Sequence, residues 1–241
     1  MPPTPPQPGF TTAPVRGSAV SRRRLAGLAL RRPGGRRALS VVTALLLLAG
    51  VGLFSYPFVT DLLQHQRQGS LRKQFADPTY ATTYRDHQVK VGDGLTELKI
   101  PSIGVDVLVV EGTTPAALRA GAGHYVGTPL PGEAGNVAIA GHRTTYGRPF
   151  NRLDEVKPGQ EVELDTPLAK YFYVAVPDAD FTPANPHPVA PTDVSVLQAP
   201  ADPGAHLLTL TTCHPKGSAA ERLILRASLE PQKTIVLTPG G

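Results

Sequence analysis

The chain carries a single cysteine, Cys213, at the end of the run Ala205-His206-Leu207-Leu208-Thr209-Leu210-Thr211-Thr212-Cys213, followed by His214-Pro215-Lys216-Gly217. Proline cannot donate to a strand ladder, so the strand stops there. A thiol at a strand end beside a loop sits on a rigid scaffold yet within reach of solvent, where reactive groups concentrate. As a thiolate it attacks carbonyl carbon, and it needs a base or a cation to set its ionisation. The plain alternative is a buried free cysteine acting as a small hydrophobe. An exported protein in an oxidising compartment gains little from one unpaired thiol, which weighs toward a functional role.

Seven histidines could serve as the base: His65, His87, His124, His142, His187, His206 and His214. His65 and His87 fall in a polar stretch ahead of the β-rich region, and His187 in the Pro-rich segment Pro183 to Pro191. Adjacent strand side chains point to opposite faces, so His214 turns away from Cys213, as does His206 seven residues earlier. His124 and His142 remain. His142 follows the run Asn136 to Ala140 and then Gly141, whose missing side chain lets the backbone turn and clears space beside the ring. Its alternative is a surface loop histidine. For a cation, Arg222 opens the run Glu221 to Leu229. If that run returns antiparallel beside 205–213, Arg222 comes near Cys213, where a guanidinium stabilises a tetrahedral oxyanion. Alternation puts Arg226 on the same face, so Arg226 competes, and either could be an exposed strand-end charge.

The elements that must hold these groups read as mostly β. Candidate strands are 96–101, 105–111, 136–140, 160–164, 169–176, 205–213 and 221–229, rich in Val, Ile, Leu, Thr and Tyr. Pro131-Gly132, Pro158-Gly159 and Pro203-Gly204 punctuate them. Two short helices are expected, over 114–121 and over 149–156, where Phe150, Leu153 and Val156 share a helical spacing. About seven strands in about 140 residues predict a closed barrel or a sandwich.

Ahead of this region, Ala38 to Thr60 is uncharged and apolar, long enough to cross a hydrocarbon core of about 30 Å as a helix. A cleaved signal peptide would have a shorter apolar run ending in a small-x-small site; here Leu53, Phe54, Tyr56, Phe58 and Val59 carry the run past Val51. Residues 1–37 hold a Pro-rich, disorder-prone start and eight arginines, and Asp61 lies on the other flank. The positive-inside rule then puts the N-terminus in the cytoplasm and the rest outside. The expected organisation is a cytoplasmic tail over 1–37, a bilayer-spanning signal-anchor over 38–60, a polar stalk over 61–94 and a β-rich ectodomain over 95–241. The anchor helix can continue to Phe75, before Asp77-Pro78 breaks it.

Charge sorts the function classes. Residues 1–60 carry +8, whereas residues 61–241 set 16 Lys+Arg against all 19 acids, a net charge of −3. The folded part lacks the basic excess of a nucleic-acid-binding domain. One cysteine excludes an internal disulfide framework and a Cys-rich zinc or iron–sulfur site. A zinc site built from Cys213 with His142, His206 or His214 lacks a placed fourth ligand. An anchored β-domain that only binds wall or protein partners stays open as a non-enzymatic alternative.

Thr209-Leu210-Thr211-Thr212-Cys213, with an arginine nine residues later opening an apolar strand, resembles the TLxTC…R signature of sortases. Gly141-His142-Arg143 after Asn136-Val-Ala-Ile-Ala resembles their catalytic histidine segment, and Leu98-Lys-Ile-Pro-Ser-Ile-Gly and Leu130-Pro-Gly-Glu-Ala-Gly-Asn resemble further landmarks. The likeness covers about residues 95–230. Thr-Thr-Cys-His-Pro-Lys followed by Glu221-Arg222-Leu223-Ile224 is most similar to the class E sortases of actinobacteria.

The resemblance implies an eight-stranded β-barrel and a membrane-anchored cysteine transpeptidase working through a thioester. It selects His142 over His124 and Arg222 over Arg226 as partners of Cys213. It implies that a secreted protein's C-terminal sorting signal (LAXTG or LPXTG type) is cut between Thr and Gly and joined to a peptidoglycan precursor amine, with no metal or organic cofactor. Thiol and imidazole in this family are viewed as a reverse-protonated pair, with only a minority in the thiolate–imidazolium form. Pilin-type class C members carry an Asp-Pro-aromatic lid; here Thr79 follows Asp77-Pro78, which argues against a lid. The L,D-transpeptidases, another exported cysteine class, place the nucleophile in a Ser-x-Gly-Cys context, unlike Thr211-Thr212-Cys213-His214.

Overall fold

The computed structural model describes residues 33–176 and 186–237. Most of the expected tail, residues 1–32, and most of the Pro-rich segment before His187 lie outside the described residues. The chain divides into two units, Met1–Phe54 and Ser55–Gly241.

Helix α1 spans Pro33–Phe75. Between Leu39 and Phe54 it exposes Leu45, Leu46, Leu47, Leu48, Val51 and Leu53. Water does not tolerate a contiguous apolar surface of this kind without a partner phase. Among the described residues, one helix is long and apolar enough to cross a membrane.

Among the described residues the second unit is built on ten strands: β1 (Gly94–Ile100), β2 (Val105–Glu111), β3 (Ala122–His124), β4 (Gly135–Ala140), β5 (Glu161–Asp165), β6 (Ala169–Ala175), β7 (His187–Val189), β8 (His206–His214), β9 (Glu221–Leu229) and β10 (Ile235–Val236). Eight of them close a barrel in the order β6-β5-β1-β2-β3-β4-β8-β9, with β9 returning to β6 through Tyr173↔Leu229 to Ala175↔Ala227. Strand β7 adds to the free half of β9, and β10 to the start of β6. Two pairings are parallel, β2–β3 and β4–β8. The barrel fills with one face of each strand: Val137 and Ile139 of β4, Leu208 and Leu210 of β8, and Leu223 and Leu225 of β9 join Leu98, Val109, Leu164 and Tyr173 in a single cluster. Every residue of β4 is buried, so its outer face is covered too. There Thr209 Oγ1 donates to Asn136 Oδ1 (2.7 Å), while Asn136 Nδ2 donates to the Val196 and Gln198 carbonyls.

All seven expected strands are present, within one or two residues at their ends. Strands β3, β7 and β10 were not expected; at three, three and two residues they are too short for alternation to register. Helix α2 covers Tyr80–Arg85, and α3 covers Pro115–Ala120 with Thr114 Oγ1 accepting from Ala117 N as its cap. The helix expected over 149–156 is corrected to one 3-10 turn, Leu153–Glu155. Phe150, Leu153 and Val156 do all enter the core, so the apolar spacing was real but marked an irregular segment.

Helix α1 does run to Phe75. Its last turns and α2 pack on the barrel, with Thr60, Gln64 and Gln68 buried from α1 and Tyr80 and Tyr84 from α2. Gln68 carries much of this: its Nε2 donates to the Leu108 and Ala120 carbonyls (2.9 and 2.7 Å), and its Oε1 accepts from Leu108 N (2.8 Å). A buried amide with three backbone bonds is fully committed, and truncating it would strand those groups.

Candidate active site

Strands β8 and β9 pair over eight residues, from Leu207↔Ser228 to His214↔Glu221, and Cys213 stands directly opposite Arg222. Opposed residues in an antiparallel pair share a face. Since Leu208, Leu210, Leu223 and Leu225 point into the barrel, Cys213 and Arg222 project from the outer face together. Arg226, the competitor, is paired with Thr209, four residues from the thiol. Cys213 is free and half-buried.

On the other side of β8 lies β4, parallel to it, with Ala140↔Thr211 as the last pair. His142 and Cys213 each come two residues after that pair. Parallel neighbours run about 4.8 Å apart, so the two residues leave the sheet side by side. Two bonds prolong the contact past the ladder: Gly141 N donates to the Thr211 carbonyl (3.0 Å) and Thr212 Oγ1 donates to the Gly141 carbonyl (2.7 Å). His124, the other candidate base, is buried on β3, with Nδ1 against Glu111 Oε2 (2.8 Å) and Nε2 near Thr128 Oγ1 (2.8 Å) and the Pro129 carbonyl (3.0 Å). It is committed to that network. His206 bonds the Gly132 carbonyl and His214 bonds Arg143, so neither ring turns to the thiol.

Arg143 is a group whose role the sequence did not disclose. It is almost wholly buried, 3% exposed, yet follows His142 in a turn. Its Nη1 donates to the Cys213 carbonyl (3.2 Å) and to His214 Nδ1 (2.7 Å), and its Nη2 pairs with Asp154 (3.0 Å). A guanidinium has no acceptor, so His214 Nδ1 must accept in this contact. Arg143 thus ties the turn after His142 to the strand end that carries the thiol. Asn151 closes the same loop by donating to the Arg143 carbonyl (2.8 Å).

Burial, and next the nearby Arg119 charge, hold the His142 imidazole below its ordinary value of 6.5. Both causes disfavour the cation, so the neutral ring dominates at neutral pH. The Tyr146 ring tilts against it at 5.1 Å between centroids. Arg222 Nη1 donates to the Ala219 and Glu221 carbonyls (3.1 and 3.0 Å), which fix the guanidinium at the mouth of the β8–β9 loop. Among the described residues, no group of three or more His, Cys, Asp or Glu is arranged to hold a metal ion.

The model of the Sortase domain family matches residues 98–230. A sortase from Streptomyces coelicolor, SrtE1, is 34% identical over 146 residues, 56% of this chain but only 40% of that protein. The chain therefore spans less than half the length of that curated relative. Among solved structures, the SrtF sortase from Corynebacterium diphtheriae superimposes with a TM-score of 0.57 and 32% identity, covering 64% of this chain and 91% of that one. Sortase E from Streptomyces avermitilis gives 0.53 and 34%, covering 63% and 96%.

Proposed function

The chain belongs to the sortase family of cysteine transpeptidases, and from that premise we propose that Cys213, His142 and Arg222 carry out its chemistry on a C-terminal sorting signal of the LAXTG or LPXTG type. The observation that supports this most directly is the register: Cys213 opposite Arg222 on β8–β9, with His142 two residues past the end of the parallel neighbour β4.

Cys213 Sγ passes its proton to the His142 ring and, as thiolate, attacks the Thr carbonyl carbon of the Thr–Gly bond. The tetrahedral oxyanion is held by Arg222, whose Nη1 is steadied by the Ala219 and Glu221 carbonyls, and by backbone amides. As the C–N bond breaks, His142 gives its proton to the leaving glycine amine, and the acyl group stays on sulfur as a thioester. A peptidoglycan precursor amine then attacks the thioester, His142 takes up the amine's proton and the thiolate leaves. A depressed imidazole pKa fits a resting ring that is neutral and ready to take up a proton. Residues 38–60 anchor the protein in the bilayer, with 1–37 in the cytoplasm and the catalytic domain of 95–241 outside.

The test uses the full chain in detergent micelles, with peptides carrying Leu-Ala-X-Thr-Gly and Leu-Pro-X-Thr-Gly and triglycine as the amine. Mass spectrometry is expected to find cleavage between Thr and Gly, triglycine joined to Thr, and no product from Cys213→Ala or His142→Ala. Turnover by either variant at the wild-type rate overturns the assignment.

A further inference from the structure

Helix α1 reaches the loop that carries His142. Thr60, Gln64 and Gln68 are buried at four-residue intervals, so one face of the helix lies on the barrel. At the end of that face, Asp61 Oδ1 accepts from Gly147 N (2.8 Å) and Asp61 Oδ2 accepts from Arg148 Nη2 (2.8 Å). Five residues earlier, the Tyr56 and Tyr146 hydroxyls meet at 3.1 Å, and Tyr146 is the residue whose ring lies against His142.

The backbone these contacts hold is strained. Tyr146, Gly147 and Arg148 have φ of 51°, 73° and 49°, three successive residues in the left-handed region, two of them with side chains disfavoured there. Such a run persists only where its surroundings over-determine it. Asp61 supplies two of the bonds that do so. The Gln64 amide packs against Gly147 so closely that a Cβ there would stand 2.6 Å from its Oε1.

We propose that Asp61 is a positioning residue for the transpeptidation step: it clamps Gly147 and Arg148, and the clamped loop holds Tyr146 against the His142 ring. The inference rests on the reading of His142 as the proton-transfer group. It makes the outer end of the proposed span, with the helix that continues from it, a working part of the catalytic unit. A chain cut after the helix would lose the clamp together with the Gln68 bonds to the barrel.

The experiment uses the full chain in detergent micelles with the sorting peptide and triglycine. Asp61→Ala is expected to lower kcat by about tenfold or more, as misplacement of a catalytic group does, with KM within about twofold of wild type because no substrate contact is removed. Asp61→Asn keeps an acceptor for Gly147 N and is expected to retain most of kcat, a rescue that a charge effect alone would not give. Loosening the loop also exposes the His142 ring, so the limb of the kcat/KM profile that reports His142 moves upward in pH. The charged or titratable groups facing that ring are Cys213 at the end of β8, Arg119 of α3 and Tyr146 of its own loop. Wild-type kcat with an unmoved limb in Asp61→Ala overturns the proposal, even if its melting temperature falls. Should Asp61→Ala fail to fold by circular dichroism, Tyr56→Phe removes one hydroxyl and is expected to lower kcat about threefold; an unchanged kcat there overturns the proposal as well. His142→Ala in the same assay separates the two ideas, because activity without His142 sinks the mechanism whatever Asp61 does.

Discussion

The thiol and the imidazole reach the same end of the barrel by different means. Cys213 is delivered by a backbone ladder eight pairs long, closed on its other side by β4, and little about its position depends on any one side chain. His142 lies past the end of its strand, on a turn held by side chains: Thr212 on the Gly141 carbonyl, Arg143 on the Cys213 carbonyl, Asn151 on the Arg143 carbonyl. A ladder spreads its free energy over many bonds of roughly 1 kcal/mol each, whereas a clamp concentrates it. Single substitutions should therefore disturb the histidine side far more than the cysteine side.

Arg143 offers the strongest test of that contrast. Arg143→Met leaves Asp154 without its nearer cation, though Asp154 is 41% exposed and keeps Lys216 at 3.7 Å. The cost should thus fall below that of a fully buried broken pair, at about 2–3 kcal/mol in urea unfolding. Turnover should fall by about tenfold or more, because the turn after His142 loses its tie to the thiol strand. Arg143→Lys should recover part of the stability and little of the rate, since a point cation cannot serve three acceptors in a fork. A fully active lysine variant would mean that the backbone bonds at Gly141 suffice, and the contrast between ladder and clamp would fail.

Gly141 sharpens the comparison at the hinge itself. A Cβ on it would stand 2.5 Å from the Phe150 ring, so the turn into His142 passes directly over that core side chain. Gly141→Ala should destabilise by about 1–3 kcal/mol through overpacking, and adding Phe150→Leu should return part of it. A matched pair of melting curves checks this; no recovery in the double variant would place the strain in the backbone instead.

The same contrast explains what the sequence disclosed. The strands carrying Val137, Leu208 and Leu223 announce themselves by alternation, and the pairing of Cys213 with Arg222 follows from one antiparallel return. Sortase likeness, class and barrel were legible from the TLTTC and GHR segments. Arg143 and Asp61 were visible as residues but not as clamps, because nothing local marks a buried guanidinium in a turn or a helix carboxylate meeting a loop 86 residues later. Pattern reasoning resolves what periodicity writes along the chain. Contacts between irregular segments are written only in the fold, which is also why Phe150, Leu153 and Val156 suggested a helix where one 3-10 turn stands.

Arg119 tests the electrostatic side of the histidine loop with the smallest effect. Its charge is the second cause, after burial, that keeps His142 below its ordinary value. It is exposed at the end of α3, with Nε bonded to the Pro115 carbonyl, so solvent screens it. Arg119→Gln should therefore raise the His142 limb of the pH–rate profile only slightly, while burial keeps it below the ordinary range. Ionic strength provides the control: at about 1 M salt the Debye length is about 3 Å, so wild type should approach the variant and their difference should close. The sign extends to stability. The native state holds His142 less protonated than the unfolded chain does, so its contribution to stability is lost as pH falls through the ordinary imidazole range, and Arg119→Gln should lessen that loss. A limb that does not move on substitution, or a shift that survives high salt, would leave burial as the whole cause and remove the exposed helix from the electrostatics of the site.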